Sequence, residues 1–191
     1  MRFTLPLVTF LTLALTASTA SAATNLVNPD GTPAPAKFQT WLKQAKVPTP
    51  DGTVKLSLTP CPNGPAWAGG CADLQNRTIY LGPTARDRGR FYHELGHIYD
   101  ATMMSDALRG QFEALVHKPG AWAAAANTDP AMEKFAEAYS MCARHTTARA
   151  MQFGMYGYMP TPAVHRKACA VIKSAPLAPP SLRSAPQGFG S

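Results

Sequence analysis

Acidic residues are scarce in this chain of 191 residues. It has 11 Asp and Glu against 18 Lys and Arg, a formal net charge of +7, and charged residues make up only 15% of the total. High charge and low hydrophobicity keep a chain unfolded, whereas 46% of these residues are hydrophobic, so an entirely disordered protein is excluded. The length favours one domain with appendages rather than two domains.

Apolar runs long enough to cross a membrane are also missing. The run near the N-terminus, from Leu5 to Ala17, has about 13 residues, whereas a membrane-spanning helix needs roughly 20. It follows Arg2 and precedes Ala20-Ser21-Ala22, an order that is typical of a signal peptide. We therefore expect residues 1–22 to form a signal peptide that is cleaved after Ala22, and the mature protein to be secreted without a membrane span.

Cysteines are few, and none form a Cys-x-x-Cys pair, the spacing common in zinc sites built from sulfur. An even number of cysteines in an exported chain favours disulfides over free thiols. Cys61 and Cys71 bracket a short Pro/Gly-rich loop, which favours a bridge across that loop. This leaves Cys142 to pair with Cys169.

The excess of positive charge carries no nucleic-acid motif. Arg86, Arg88 and Arg90 form the one basic cluster. Arginines two residues apart, at a loop-to-helix junction and without a matching fold signature, are more typical of a solvated surface than of nucleic-acid binding. The cluster could also steer an acidic substrate or bind an anionic surface. Heptads are absent, so we expect a monomer.

Periodicity divides the mature chain into a leader, one domain and a tail. Residues 23–36 are polar and Pro-rich and predict a flexible or extended leader, and the Ala/Pro/Ser-rich residues 175–191 predict a disordered tail. Residues 37–174 form the predicted domain. Apolar spacing within it predicts strands at 54–58 and 78–81 and helices at 38–45, 86–104, 131–144 and 163–174. A further helix is predicted between a cap at Ser105 or Asp106 and a stop at Lys118-Pro119-Gly120.

The sharpest chemical signal is His93-Glu94-Leu95-Gly96-His97. Two histidines four residues apart on a helix project from one face, so both rings can reach one metal ion. Glu94 is placed to reach a metal-bound water rather than the metal, and zinc lowers the pKa of such a water to about 7. The motif therefore predicts one Zn²⁺ ion bound by His93 and His97, with Glu94 as general base.

A zinc ion in a hydrolytic site normally has a third protein ligand. A metzincin would place it six residues after the second histidine, but that residue is Met103. Glu133 and Glu137 are favoured because they share one face of a helix in an otherwise apolar stretch. One of them could bind the metal while the other accepts the free ring N–H of a ligating histidine. Alternatively, both glutamates face solvent and bind no metal. The other downstream residues that could supply the third ligand are Glu113, His117, His145 and His165.

The two motifs together, HELGHIYD and EKFAEAYSM, resemble the Glu-zincin metallopeptidases. The similarity is greatest to the branch that contains the anthrax lethal factor protease domain and the bacterial Pro-Pro endopeptidases, and it covers roughly residues 78–143. It implies that His93, His97 and Glu133 bind zinc, that Glu94 is the general base, and that Glu137 supports a ligand histidine. The expected fold is α+β and α-rich, with a small sheet packed beside the HExxH helix and a second helix that carries the glutamates.

One position departs from this pattern. The branch has a tyrosine seven residues before the third ligand that stabilises the developing oxyanion, and here that residue is Ala126. On chemical type alone, another donor could come from Tyr156, Tyr158, His145 or Arg144. Losing such a donor typically lowers the rate by about 10²–10³ and leaves metal binding intact. Asp100, three residues after His97, either supports that histidine or faces solvent.

These observations predict a secreted zinc metallopeptidase that hydrolyses peptide bonds of a peptide or protein substrate through a zinc-bound water. Ala126 and the small size motivate a different alternative, a secreted zinc-binding interaction module without turnover. A cell-wall amidase would use the same zinc chemistry, but its usual ligand sets differ from this one.

Overall fold

A computed structural model of the chain describes residues 23–62, 64, 69–117, 122–123, 130–144 and 157–175. Within these ranges the chain forms a small sheet and a larger set of helices, which confirms the predicted α+β, α-rich class. The strands are β1 (Asn25–Val27), β2 (Thr53–Ser57), β3 (Gly70–Asp73) and β4 (Thr78–Leu81). The α-helices are α1 (Ala36–Lys43), α2 (Arg88–Met103), α3 (Asp106–Val116), α4 (Ala131–Arg144) and α5 (Pro162–Ser174), and a short 3₁₀ helix covers Pro83–Ala85.

The sheet is mixed, with the strand order β1-β2-β4-β3. β1 pairs parallel with β2, β2 pairs parallel with β4, and β3 pairs antiparallel with β4. Alternation explains the buried face of β2, because Val54 and Leu56 are fully buried while Lys55 between them is exposed. Ile79 and Leu81 are buried in the same way on β4. Helix α2 packs beside β3 and β4.

Helix α2 is the centre of the domain. Every residue from Phe91 to Ala101 is buried, polar residues included. A helix that is covered all round lies between other elements, and here α4 contacts it closely while the sheet edge lies beside it. The polar residues of the HExxH motif are therefore held inside the protein rather than on a solvated helix face.

Gly96 sets the closeness of α2 and α4. A Cβ built on Gly96 would lie 3.1 Å from the Cα of Ala136 and 3.1 Å from the Cβ of Tyr139. The backbone of α4 would have to move to accept even one methyl group. The glycine inside the HExxH motif thus allows the two helices to approach and brings the glutamates of α4 to the histidines of α2.

We expect Gly96→Ala to destabilise the domain, in spite of the better helix propensity of alanine. Overpacking a buried contact costs about 1–3 kcal/mol. Gly110 is the matched control because it lies in α3 with nothing within 4 Å of a built Cβ, and Gly110→Ala should raise the free energy of unfolding by about 0.5–1 kcal/mol. Urea denaturation of both variants measures the two effects, and equal stabilisation of both would contradict the close helix contact.

Both predicted disulfides are confirmed. Cys61 is bonded to Cys71 and Cys142 to Cys169, with Cα–Cα distances of 5.9 and 5.6 Å. The second bridge joins the C-terminal part of α4 to α5, so the helix that carries the glutamates is tied covalently to its neighbour.

Helix ends follow local capping chemistry. The side chain of Asp87 accepts from Arg90 N at the start of α2, and Ser105 accepts from Leu108 N at the start of α3, as its position in the sequence predicted. The predicted start of α4 at Asp129-Pro130 is correct to within one residue at Ala131, although Asp129 itself lies outside the described residues.

Two sequence predictions about the ends of the domain need correction. The leader predicted at 23–36 contains β1, and its Leu26 is 1% exposed, because this short apolar pair beside the Pro-rich stretch finds a partner strand in β2. Ala175, placed in the tail, is buried at the end of α5. The predicted signal peptide and the rest of the predicted tail lie outside the described residues, and no described helix is long and apolar enough to cross a membrane.

Candidate metal centre

Helix α2 presents His93 and His97 on one face, one turn apart, as their spacing predicted. The two ring centroids lie 4.9 Å apart and the planes are nearly perpendicular. Both side chains are buried, with exposures of 2% for His93 and 7% for His97. Burial of two imidazoles side by side is unfavourable unless their nitrogens are engaged, which points to a shared partner.

Helix α4 supplies that partner through Glu133 in its first turn. Glu133 Oε2 lies 3.1 Å from His93 Nε2 and 3.5 Å from His97 Nε2. Two ligand atoms that are each about 2.0–2.1 Å from a tetrahedral zinc ion lie about 3.3 Å apart. Both distances from Glu133 Oε2 are therefore close to the spacing of two ligand atoms on one tetrahedral zinc ion.

Glu137 lies one turn further along α4 and faces the other nitrogen of the same ring. Its Oε2 is 3.3 Å from His93 Nδ1, and the residue is 4% exposed. A carboxylate in this position accepts the Nδ1 proton, so Nε2 is left as the nitrogen with the free lone pair. The ring of His93 is thereby oriented toward Glu133 and His97.

Glu94 is buried beside this cluster, with 3% exposure. His93, Glu94 and His97 each place one potential ligand atom within 4.8 Å of those of the other two. Burial raises the pKa of the Glu94 carboxyl, and the nearby positive charges of His93, His97 and Arg90 act in the opposite direction. A carboxyl group whose pKa is raised in this way accepts a proton more readily than an exposed one.

Gly70, the first residue of β3, lies against Glu94. A Cβ on Gly70 would come within 2.9 Å of Glu94 Oε1, so the Glu94 carboxylate would have to shift to accept it. Glycine at this position therefore lets the sheet edge lie against the carboxylate in its present place. The sequence analysis did not identify this residue, because nothing local to Gly70 indicates which helix it faces.

The two carboxylates change the acidity of His93. Burial lowers the pKa of this imidazole, but hydrogen bonds with Glu133 and Glu137 outweigh that effect and raise it to about 9. Burial also disfavours the charge on Glu133, whereas His93 and His97 hold the pKa of its carboxyl well below the usual range. Without metal, His93 is therefore a cation at neutral pH.

We expect zinc binding near neutral pH to release about one proton, since His93 must lose its proton to become a ligand. Because that proton competes with the metal, the apparent zinc affinity should fall about tenfold for each pH unit below about 9 and level off above it. Calorimetric titration of zinc in buffers of different ionisation enthalpy measures the release. Heats that are identical in all buffers would contradict the prediction, and Glu137→Gln should reduce the release.

Asp100 lies away from solvent, so the solvent-facing alternative for this residue is wrong. It is 7% exposed, and its carboxylate accepts from Arg109 Nε and from Trp122 Nε1, both at 2.8 Å. Burial raises the pKa of Asp100, and Arg109 and His97 are among the groups that lower it. The carboxylate thus ties the end of α2 to α3 and to Trp122, partners that the sequence analysis did not anticipate.

The other sequence candidates lie elsewhere or outside the described residues. Tyr158 is buried with its hydroxyl 3.2 Å from His165 Nδ1, and His165 in turn lies beside the Cys142–Cys169 disulfide. Arg144 donates from Nε to the Ser140 carbonyl. Arg144 comes eleven residues after Glu133, so its backbone lies about 16 Å further along the helix. Glu113 and His117 lie in α3 and at its C-terminal end. Ala126, His145 and Tyr156 lie outside the described residues.

Comparison of this chain with protein-family models, with curated proteins and with solved structures gives no match. Inference about function therefore depends on the geometry of this site.

Proposed function

We propose that this chain is a secreted zinc-dependent metallopeptidase that hydrolyses peptide bonds. The observation that supports it most strongly is that Glu133 Oε2 lies 3.1 Å from His93 Nε2 and 3.5 Å from His97 Nε2. Glu94 is buried beside these three residues. The two disulfides are compatible with an oxidising, extracellular environment. A monomer remains our expectation.

The donor set is one that zinc takes in catalytic sites. Two imidazoles and one carboxylate form a ligand set found in catalytic zinc sites, and three protein ligands leave a position open. Glu137 completes the site by fixing the ring of His93. His93, His97 and Glu133 would hold the ion, with no ligand drawn from another part of the described chain.

When bound, zinc supplies a Lewis acid that polarises the scissile carbonyl and makes water acidic enough to attack it. Glu94 is the residue that takes the proton from the attacking water and later gives it to the leaving amine. Its burial favours both steps, because the raised pKa brings the carboxyl closer to the pH at which the proton must be moved in both directions. Burial also excludes bulk water from the carboxylate.

The sheet offers a place for an extended substrate. β3 is the last strand in the sheet order, and its first residue, Gly70, touches Glu94. An extended peptide that adds to the outer edge of β3 would form main-chain hydrogen bonds and pass beside the general base. This arrangement favours a peptide over a compact substrate.

Cleavage of a peptide library by the metal-loaded mature chain tests the proposal. We expect cleavage that a chelator abolishes and that added zinc restores. A chain that binds one zinc ion yet cleaves nothing in the library would instead be the secreted zinc-binding interaction module, and cleavage that survives the chelator would contradict a zinc-dependent reaction.

A further inference from the structure

Two arginines of the basic cluster are held by the protein itself. Arg86 donates to the carbonyl oxygens of Leu58 and Leu81. Arg88 donates to the Tyr92 hydroxyl at 3.4 Å and lies 5.5 Å from the centre of that ring. Both guanidinium groups therefore have hydrogen-bond partners within the protein, although Arg88 Nε is buried without one.

Arg90 differs from both. Its backbone N–H donates to Asp87 Oδ1 at 3.0 Å. Across the ranges that the structure describes, however, its guanidinium has no hydrogen-bond or ion-pair partner. Arg90 is half-buried, and it lies close enough to Glu94 for its charge to lower the pKa of that carboxyl. Because it makes no hydrogen bond to that carboxyl, its N–H donors are left for a ligand.

The position of Arg90 explains what such a group could bind. Arg90 precedes Glu94 by one helical turn on α2, so the two side chains share a face. Both touch the same point on the sheet edge, because a Cβ on Gly70 would lie 2.9 Å from Glu94 Oε1 and 3.2 Å from Arg90 Cγ. The stem of Arg90 therefore packs beside the general base.

We propose that Arg90 forms a subsite for a substrate carboxylate, so that the enzyme prefers peptides with Asp or Glu close to the scissile bond. This inference rests on the proposed peptidase function and adds a substrate class to it. A guanidinium binds a carboxylate through two parallel hydrogen bonds, and the interaction is stronger in a partly buried position than in bulk water. A peptide lying along β3 would bring its side chains past this group.

A library in which single positions carry either Glu or Gln tests the subsite. Wild type should cleave the Glu peptide faster at one position relative to the scissile bond. Arg90→Gln should lower the ratio of kcat/KM for the Glu peptide to kcat/KM for the Gln peptide about 10- to 100-fold, since a charge-assisted hydrogen bond is lost. Any effect of Arg90 on the pKa of Glu94 acts on both peptides alike and cancels in this ratio. Arg88→Gln is the matched control and should keep the preference. Arg90→Glu should shift the preference toward Lys or Arg, which a purely structural role would not do.

Binding of the same peptides to the zinc-loaded Glu94→Gln chain, followed by fluorescence anisotropy, separates the two proposals. An Arg90-dependent preference for Glu in binding supports the subsite even if wild type cleaves nothing, in which case only the peptidase function fails. Cleavage without a preference for acidic residues, or an equal loss for Glu and Gln peptides in Arg90→Gln, overturns the subsite alone. Absence of both cleavage and selective binding overturns both.

Discussion

Glu94→Gln should abolish peptide hydrolysis while leaving zinc binding intact. Glutamine keeps the shape of the side chain but cannot take a proton from water, and loss of a general base lowers rates by about 10²–10⁴. The ligand atoms of His93, His97 and Glu133 are untouched by the change. Because Glu94 is 3% exposed, a neutral amide also avoids the cost of burying a charge, so the variant should fold at least as stably as wild type.

The measurement is the cleavage rate of a library peptide at equal zinc occupancy. Glu113→Gln is the matched control, because it makes the same chemical change in α3 and should leave the rate within about twofold of wild type. A Glu94→Gln chain that cleaves as fast as wild type would remove Glu94 from the chemistry and, with it, the proposed mechanism.

Glu133→Ala should have the largest effect on metal binding. It removes the carboxylate that lies 3.1 and 3.5 Å from the two histidine nitrogens and leaves two ligands on one helix. Outer partners of metal ligands are worth about 10–100-fold in affinity, so loss of a ligand itself should cost at least about 100-fold. Competition with a chromophoric chelator measures the affinity, and Glu113→Ala controls for loss of a glutamate elsewhere.

Glu137→Gln separates the two glutamates of α4. Glu137 accepts from His93 Nδ1, whereas Glu133 lies beside Nε2, the ring nitrogen that would bind the metal. Its substitution should therefore weaken zinc binding only by about 10–100-fold, less than Glu133→Ala does. Undiminished affinity in Glu133→Ala would refute the ligand assignment, and a larger loss in Glu137→Gln would exchange the two roles.

The sequence alone predicts the elements with strong periodicity. The helices around His93 and Glu133, and the strand at 78–81, follow from the spacing of apolar residues and agree with the structure. β3 was not predicted, because Gly70-Cys71-Ala72-Asp73 has no alternation and few residues that favour strands. Its pairing with β4 depends on a neighbour in space rather than on its own composition.

Candidate site residues were easier to predict than their surroundings. Two spacings of four residues, each about one helical turn, identify His93 with His97 and Glu133 with Glu137, because ligands on one helix must share a face. The roles of Gly70 and Gly96 depend on contacts between elements far apart in the sequence, and an exposed or buried glycine looks the same in a sequence. The buried hydrogen bonds of Asp100 also depend on residues outside the motif, because their donors are Arg109 and Trp122. They could not be predicted from the sequence around Asp100.

The raised pKa of His93 has a consequence for the charge of the site without metal. The protonated ring lies between Glu133 and Glu137, and it neutralises part of the negative charge that a bound ion would otherwise balance. Binding of zinc then exchanges one cation for another, so the two carboxylates are partly neutralised in both states.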